Sequence, residues 1–345
     1  MKKTLMALSV AVAALSAQGL EAKTLKWAFQ GDAQSLDPQS LNETFTLGLL
    51  GNIYEGLVRR GPDLAIEPAL ATSWKIVEPK RWRFTLRKGV TFHNGNAFTA
   101  DDVVFTYQRT LKPGSDVKTR MATVADVVKV DDHTVDFITE VPNPILIAEW
   151  ATWYIMDKEW SEANNAADPT DIGEGKENYA TRHANGTGPF MVKSRETDVK
   201  TVMVPNPKWW DTPKHNLTEV IMTPIGSDAT RVAALLSGEI DMMYPVPVQD
   251  MKRIDSNPAT EVLAGPELRT IFLGMDQERD ELLYSSVKGK NPFKDLRVRQ
   301  AFYHAINIDA IKRKVMRGLS TPSAIMISPK LFAAHAGEFK RLAYD

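Results

Sequence analysis

The chain contains 345 residues, a length that exceeds what one hydrophobic core usually serves, so two domains or lobes are expected. Hydrophobic residues make up 43% and charged residues 25%, which is typical of a globular protein and excludes disordered, collagen-like and multi-pass membrane classes. With a formal net charge of −1, the chain has no overall electrostatic field that would attract nucleic acid. The lack of cysteine excludes disulfides, thiolate metal sites, a cysteine nucleophile and a lipid-modified cysteine anchor.

The first 22 residues have the pattern of a secretory signal peptide. Two lysines precede an apolar run over residues 5–17, which is too short to span a bilayer. Small residues at Ala17, Gly19 and Ala22 offer alternative cleavage sites, and cleavage after Ala22 would begin the mature chain at position 23. We therefore expect a periplasmic protein that is exported, loses its signal peptide and is not lipidated.

The mature chain interleaves predicted strands with predicted helices, which indicates a mixed α/β fold. Residues 163–185 are rich in Asn, Asp, Gly and Glu and are predicted to form a long surface excursion. In chain order the predicted elements are strand 25–29, helix 44–57, strand 81–86, helix 99–110, strands 134–138, 190–193 and 201–204, helix 229–236, strands 240–244 and 269–275, and helices 296–306 and 309–317. The predicted helix caps are Thr99 with Asp102, Ser227 or Asp228, Asp295, and Asp309.

Several blocks of residues occur in the order found in one known protein family. Together they closely resemble the signature of the bacterial extracellular solute-binding proteins of family 5, which are dipeptide-, oligopeptide- and nickel-binding receptors of ABC importers. The resemblance runs from about position 25 to the last residue. The blocks lie at 69–74, 82–95, 98–105, 186–190, 236–241, 291–293 and 295–301.

The resemblance implies an α/β fold of the two-lobed periplasmic binding protein type (type II-like), in which hinge closure encloses a ligand between the lobes. We expect a signal peptide at 1–22, lobe I at 23–264 with an inserted subdomain at about 60–185, and a crossing strand with the start of lobe II at 265–345. Because family members run considerably longer, we expect a C-terminal truncation, with the first lobe nearly complete and the second incomplete.

The function implied by the resemblance is that of the substrate-binding component of an ABC importer. It would capture a small solute, which we expect to be a short peptide, and deliver it to the permease and ATPase complex of the inner membrane. We expect a monomer with no cofactor, no metal site, no catalytic residue and no nucleic-acid partner. The identity of the ligand stays open, since metal-chelate and sugar binders also belong to the family. In addition, no position of this sequence matches the acidic residue that receives the ammonium group of a peptide in relatives.

Two other classes of function are alternatives to this one. A periplasmic chaperone or a chemosensory binding protein is the alternative within the binding class. A secreted hydrolase is disfavoured because the sequence contains no Gly-x-Ser-x-Gly elbow, no His-Glu-x-x-His pair and no Gly-Lys-Ser/Thr phosphate loop. The predicted function is therefore binding and not catalysis.

Candidate ligand contacts follow from the implied cleft, because the carboxyl ends of strands and the crossing segments face it. The loop after the first strand forms one wall, and the turn 186–189 forms another, where glycines expose backbone N–H groups. Aromatic side chains and the crossing strand complete the surface, although Trp150 and Trp153 fit a buried helical stripe equally well. The candidates are Asp32, Gln34, Ser35, Leu36, Trp153, Tyr154, Thr187, Gly188, Pro189, Phe272, Gly274 and Met275.

Overall fold

The computed structural model describes residues 23–63, 65–265, 269–328 and 335–345. The predicted signal peptide, residues 1–22, lies outside these ranges. The chain divides into two compact units, the first ending at Pro245 and the second beginning at Val246. The lobe boundary that the sequence suggests, between residues 264 and 265, stays a prediction. Within the described ranges, no helix is both long enough and apolar enough to cross a bilayer.

Strands and helices together confirm a mixed α/β fold. The strands are β1 (Lys23–Phe29), β2 (Val58–Arg60), β3 (Ile66–Pro68), β4 (Ala71–Glu78), β5 (Arg81–Leu86), β6 (Val124–Asp131), β7 (Thr134–Thr139), β8 (Phe190–Glu196), β9 (Lys200–Pro205), β10 (Leu217–Pro224) and β11 (Met242–Tyr244). The helices are α1 (Thr44–Leu50), α2 (Ala100–Leu111), α3 (Lys158–Ala163), α4 (Tyr179–Arg182), α5 (Asp228–Ser237), α6 (Met251–Asp255), α7 (Leu296–Ala305) and α8 (Ile308–Ala310), which continues as a π-helical turn over Ile311–Val315.

A five-stranded mixed sheet organises one part of the first unit, with strand order β11-β1-β10-β9-β8. Strand β1 runs parallel to both β10 and β11, whereas β8, β9 and β10 are antiparallel neighbours. The predicted hairpin of 190–193 with 201–204 is therefore confirmed. Phe29 lies opposite both Pro224 and Tyr244, so the carboxyl ends of three parallel strands meet at one edge of the sheet.

A four-stranded antiparallel sheet, β4-β5-β7-β6, organises the other part of the first unit, beside the small β2–β3 pair. The predicted alternation in β5 is confirmed, because Trp82, Phe84 and Leu86 are buried on one face. Phe84 packs edge-on against Phe137 with ring centroids 5.2 Å apart. The signature aromatics of the sequence therefore build this hydrophobic core.

Local capping signals predicted most helix starts correctly. Thr99 and Asp102 form a capping box at α2, with the Thr99 N–H donating to Asp102 Oδ2 at 2.8 Å. Ser227 caps α5 and Asp295 caps α7. The cap assigned to Asp309 is wrong, because Asn307 Oδ1 accepts the Ala310 N–H at 2.8 Å and begins α8 two residues earlier.

The predicted helix 44–57 is wrong in its second half, since α1 ends at Leu50. Asn52 Nδ2 donates to the carbonyl oxygens of Gly48 and Leu49 and so competes with helix continuation. Beyond this point the backbone is used in long-range pairing: the Ile53 carbonyl accepts the Gly188 N–H at 2.9 Å, and the Glu55 carbonyl accepts the Ile155 N–H at 2.9 Å.

Two further predictions are corrected. Residues 163–185 are not a solvated excursion throughout, because Ala166 and Ala180 are buried and the Ala166 carbonyl accepts the Arg109 Nε–H at 3.0 Å. Residues 269–275 form no strand with any described segment, and Ile271 is 82% exposed. Alternating apolar residues produce a strand only where a partner edge receives their backbone hydrogen bonds.

Candidate functional site

A pocket of about 450 Å³ lies at the edge where the parallel strands of the five-stranded sheet end. Pockets at the carboxyl ends of parallel strands are the usual ligand sites of open α/β sheets. Every residue that lines it belongs to the first unit. The lining residues are Phe29, Gln30, Gly31, Asp32, Gln34, Glu43, Phe45 and Gly226.

Three aromatic rings from separate elements are stacked beside this pocket. Phe29 ends β1, and its ring lies parallel to that of Phe45 in α1, with centroids 3.6 Å apart. On β11, Tyr244 stacks on Phe29 at 5.8 Å and is 46% exposed. The rings join the sheet edge to α1 and supply apolar surface, the kind of wall that ligand pockets usually have.

Asp32 lines the pocket, but its carboxylate is already fully engaged. Both oxygens accept hydrogen bonds from Arg195 at 3.0 Å, and both side chains are almost entirely buried. Asp32 also accepts the N–H groups of Ala33 and Asp198 at 2.8 Å. A buried, bidentate pair of this kind fixes geometry, so Asp32 ties the loop after β1 to the β8–β9 hairpin.

The next candidates along the loop differ in exposure. Gln34 is exposed and lines the pocket. Ser35 and Leu36 are fully buried, and Ser35 Oγ accepts the Asp37 N–H at 2.9 Å. Asp37 in turn forms a buried ion pair with Arg109. The loop therefore presents Gln34 to the pocket while its neighbours anchor the loop to the core.

The turn 186–189 packs closely against the segment that follows α1. A Cβ added to Gly186 would lie 2.0 Å from the Ile53 carbonyl oxygen, and one added to Gly188 would lie 2.7 Å from it. The Gly188 N–H donates to that same oxygen at 2.9 Å. Both glycines thus permit a close approach between two backbones, and in this structure they serve packing.

His93 holds the turn from the other side. The Gly186 N–H donates to His93 Nδ1 at 3.3 Å, which leaves Nε2 to carry the ring hydrogen and to donate to the Gly188 carbonyl at 3.1 Å. Burial lowers the pKa of His93, in agreement with a neutral ring. The His-Asn-Gly and Gly-Thr-Gly-Pro blocks of the sequence therefore form one internal clasp.

Thr187 points toward a buried carboxylate that the sequence did not single out. Thr187 Oγ1 donates to Glu55 Oε2 at 2.9 Å, and the indole N–H groups of Trp209 and Trp210 donate to Glu55 at 3.2 and 2.8 Å. Burial raises the pKa of Glu55, and these three hydrogen bonds oppose the rise. No local motif marks such a residue, because its partners lie more than a hundred positions away.

The aromatic candidates lie inside the protein. Trp153 is buried and its indole N–H donates to Thr110 Oγ1 at 2.9 Å. Tyr154 is buried and donates to the Leu47 carbonyl at 2.9 Å, and burial raises the pKa of its hydroxyl to about 12. Trp150, the other half of the stripe, is also buried. These side chains pack in the core of the first unit.

The remaining candidates are distributed elsewhere. Pro189 is partly buried beside the clasp, and its carbonyl accepts the Asn206 N–H at 2.7 Å. Phe272, Gly274 and Met275 belong to the second unit, where the Phe272 side chain is exposed. Of the twelve candidates, only Asp32 and Gln34 are among the residues that line the pocket.

One acidic cluster has the composition of a metal site. Ligand atoms of Asp102, Asp157 and Glu159 lie within 4.8 Å of one another. Asp102 already accepts the N–H groups of Thr99 and Lys158, and Asp157 Oδ2 accepts three side-chain amides, from Asn94, Asn96 and Asn185. These bonds explain the two buried carboxylates as anchors of α2, α3 and the 93–96 turn.

Comparisons with known proteins agree on one family. Residues 65–345 match the bacterial extracellular solute-binding proteins, family 5 (middle region). The chain is 24% identical over 347 residues to the glutathione-binding protein GsiB of Shigella flexneri serotype 5b (strain 8401), covering 99% of this chain and 63% of that protein. It is 26% identical to the dipeptide-binding protein of Escherichia coli K12, covering 93% of this chain and 61% of that protein.

Among solved structures, the chain resembles the ABC transporter-associated periplasmic binding protein DppA from Helicobacter pylori in complex with the peptide STSA. The TM-score is 0.79 and the identity 25%, over 94% of this chain and 64% of DppA. The predicted fold class, that of the two-lobed periplasmic binding proteins, is confirmed by this likeness. The chain spans slightly less than two thirds of the length of each of these proteins.

Proposed function

Because the chain belongs to the bacterial extracellular solute-binding proteins of family 5, we propose that it acts as the substrate-binding component of an ABC importer. It captures a small solute and delivers it to a permease and ATPase complex in the inner membrane. The family match over residues 65–345 carries this proposal. Relatives named for the ligands they bind support binding over catalysis and over a chaperone or chemosensory role.

A short peptide is the proposed ligand. Glutathione, murein peptide and dipeptide appear in the names of similar proteins, and the H. pylori structure contains the peptide STSA. Each of these ligands presents peptide or peptide-like amide groups, which suit a pocket with both polar and apolar walls.

The proposed contact surface in the first unit is the pocket at the end of β1. Gln34 offers an exposed amide that can both donate and accept a hydrogen bond. Next to the lining residue Phe29, the half-exposed ring of Tyr244 offers apolar area, in line with the use of tyrosine at many binding surfaces. Trp153, Tyr154, Ser35 and Leu36 are left out of this surface, because each is buried and hydrogen-bonded or packed in the core.

Export is proposed with the function. An importer receptor works outside the cytoplasm, and the segment 1–22 has the lysines, apolar run and small residues of a cleavable signal peptide. The sequence carries no cysteine for lipid attachment, so we propose a periplasmic protein that is not lipidated. A monomeric state is proposed with it.

Thermal unfolding with candidate ligands tests the proposal. A ligand that binds only the folded state raises the melting temperature in proportion to the logarithm of its concentration above the dissociation constant. We expect glutathione, dipeptides or the peptide Ser-Thr-Ser-Ala to raise it by several degrees, with smaller effects from nickel–histidine and from maltotriose. Stabilisation by the chelate or the sugar alone would contradict a peptide ligand, and stabilisation by none would contradict solute capture by this chain.

A further inference from the structure

Three asparagine side chains converge on one buried carboxylate beside the internal clasp of His93 with the turn 186–189. Asp157 is fully buried, and its Oδ2 accepts side-chain amide N–H groups from three asparagines. They are Asn94, at 3.0 Å, Asn96, at 2.9 Å, and Asn185, at 2.8 Å. Because a buried charge is costly without hydrogen-bond donors, the closed clasp requires these side chains to remain amides.

Two of these asparagines precede glycine, and asparagine loses its amide most readily in such a pair. Asn94-Gly95 and Asn185-Gly186 are the only Asn-Gly pairs of the sequence. Because glycine has no side chain, its backbone nitrogen can approach the Cγ atom of the preceding asparagine. Asn96 is followed by alanine, whose methyl group hinders the same approach. Two reactive amides and one less reactive amide therefore surround the same carboxylate.

Deamidation at an Asn-Gly pair needs water and no other reactant. The glycine nitrogen attacks Cγ of the asparagine, and the new N–Cγ bond closes a five-membered succinimide ring. The Cγ–Nδ2 bond breaks, and ammonia leaves with the proton that the glycine N–H has given up. Water then opens the ring, at Cγ to yield aspartate or at the backbone carbonyl carbon to yield isoaspartate, in which the main chain continues through Cγ. No electrons are transferred, so neither an oxidant nor a reductant is required.

The closed clasp holds the Asn185-Gly186 pair away from this reaction. Asn185 is buried, its Nδ2 donates to Asp157, and its Oδ1 accepts the Asn94 N–H at 2.9 Å. The attacking group, the Gly186 N–H, donates to His93 Nδ1 at 3.3 Å. These hydrogen bonds must break before the glycine nitrogen can reach Cγ, so the reaction needs a local opening of the clasp.

The Asn94-Gly95 pair is held in the same way. The Asn94 side chain donates to Asp157 and accepts the Asn96 N–H at 2.9 Å. The Gly95 N–H donates to the Phe92 carbonyl at 2.9 Å. Asn94 is exposed, but both its amide and the following N–H are engaged, so exposure alone does not make the pair reactive.

We propose that Asn94 and Asn185 are deamidation sites that react only when the clasp opens, and that the product prevents the clasp from closing again. Neither aspartate nor isoaspartate has a side-chain N–H to donate to Asp157, so two carboxylates meet in a buried place. Isoaspartate at position 185 also lengthens the main chain beside Gly186, where a Cβ would lie 2.0 Å from the Ile53 carbonyl oxygen. Deamidation thus converts a reversible local opening into an irreversible one.

Peptide mapping of the full chain by mass spectrometry tests both sites. Folded protein and protein in concentrated urea are incubated at the same alkaline pH and temperature, and synthetic peptides of residues 91–97 and 183–189 report any effect of urea on the chemistry. In urea we expect Asn94 and Asn185 to be converted well ahead of Asn96, which is the internal control. In the folded protein we expect both conversions to be slower by a factor of about ten or more, since only the open fraction reacts.

His93→Ala separates the effect of the clasp from that of the chemistry. The substitution removes the acceptor of the Gly186 N–H and the donor to the Gly188 carbonyl, so the turn opens more often. We expect faster conversion of Asn185 in the folded variant and an unchanged rate in urea. His215→Ala is the matched control, because His215 is an exposed histidine of the first unit, and it should change neither rate.

Asn185→Asp tests the consequence of the reaction, and it remains available if His93→Ala fails to fold. It places the deamidated side chain beside Asp157 from the start, so we expect its urea midpoint to fall clearly below that of the unmodified protein. Asn257→Asp is the control, because the new side chain keeps the Oδ1 that accepts the Ala259 N–H, and it should keep the original midpoint. Failure of Asn185→Asp to fold, beside a folded control, is the extreme of the same expected result.

Several results would overturn these sites. Equal rates in the folded protein and in urea, or a folded His93→Ala variant with an unaltered rate, would show that the clasp is not the barrier. No conversion of Asn94 and Asn185 in urea would show that they are not deamidation sites. An Asn185→Asp variant as stable as the unmodified protein would show that the product does not hold the clasp open. None of these results depends on a ligand, so the receptor function is decided by its own test.

Discussion

Gly186 lies so close to Ile53 that a Cβ on the glycine would sit 2.0 Å from the isoleucine carbonyl oxygen. The contact joins a turn near β8 to the segment that leaves α1, and the Gly188 N–H donates to the same oxygen. His93 bonds to both glycines from the other side. A glycine pair that looks like a ligand loop in sequence is, in three dimensions, a tight backbone crossing.

Replacement of Gly186 by alanine is therefore expected to destabilise the first unit. The new methyl group meets backbone atoms, which cannot rotate away, so we expect a loss of about 2–4 kcal/mol in the free energy of unfolding. Gly48→Ala is the matched control, because Gly48 is an exposed position in α1 with no atom within 4 Å of an added Cβ. Urea denaturation should show the control stabilised by about 0.5–1 kcal/mol. Equal effects of the two substitutions would refute the close crossing.

The buried ion pair of Asp37 with Arg109 is expected to be sensitive to the loss of one partner. Both side chains are fully buried, and Arg109 also donates to Gln39 and to the Ala166 carbonyl. Because Asp37→Asn leaves the Arg109 guanidinium buried without a counter-ion, we expect a loss of about 3–5 kcal/mol in the free energy of unfolding. Lys193→Ala is the control, because it removes an exposed ion pair with Glu219. Chemical denaturation should show that this variant loses less than about 1 kcal/mol in the free energy of unfolding. A small loss for Asp37→Asn would mean that Arg109 finds other acceptors or reaches water.

Asp102 is expected to make stability fall as pH rises toward neutrality. Burial raises its pKa to about 7 from the ordinary value of 3.8, so the folded state holds this proton more tightly than the unfolded chain. Protonated Asp102 therefore stabilises the folded state, and this stabilisation is complete below pH 3.8. As the pH rises to about 7, the free energy of unfolding decreases by up to about 1.4 kcal/mol per pH unit.

Denaturation at pH 4.5, 6.0 and 7.5 checks this direction. The unmodified protein should lose stability relative to Asp102→Asn across the series, because the variant has no carboxyl to ionise. Asp136→Asn is the control, since hydrogen bonds from Arg83 hold the pKa of Asp136 below its usual range and place its titration outside the window. Parallel stability curves for the unmodified protein and Asp102→Asn would show that Asp102 is ionised throughout.

The parts of the fold that the sequence predicted are those set by local chemistry. The alternation of Trp82 and Phe84 in β5 and the caps at Thr99 and Asp295 depend on residues within a few positions. The end of α1 and the missing strand at 269–275 depend on distant partners, or on the lack of a partner among the described residues. The periodicity of a single sequence does not show which distant segments pair with each other.

The candidate site was predicted in part for the same reason. Asp32 and Gln34 follow the first strand, and a loop in that position borders the sheet edge in most α/β folds. Glu43 and Phe45 reach the same pocket only because α1 folds back over the end of β1. Glu55 has no local signature at all, since its partners Thr187, Trp209 and Trp210 are far away in sequence.

Native mass spectrometry of the full chain with a mixture of short peptides tests peptide capture at the end of β1 most directly. We expect a bound peptide on the unmodified protein, about tenfold weaker binding for Tyr244→Ala, and unchanged binding for Tyr284→Ala, a fully exposed tyrosine of the second unit. A protein that retains no peptide, or one that binds peptide equally well in both tyrosine variants, would contradict peptide capture at this edge of the sheet.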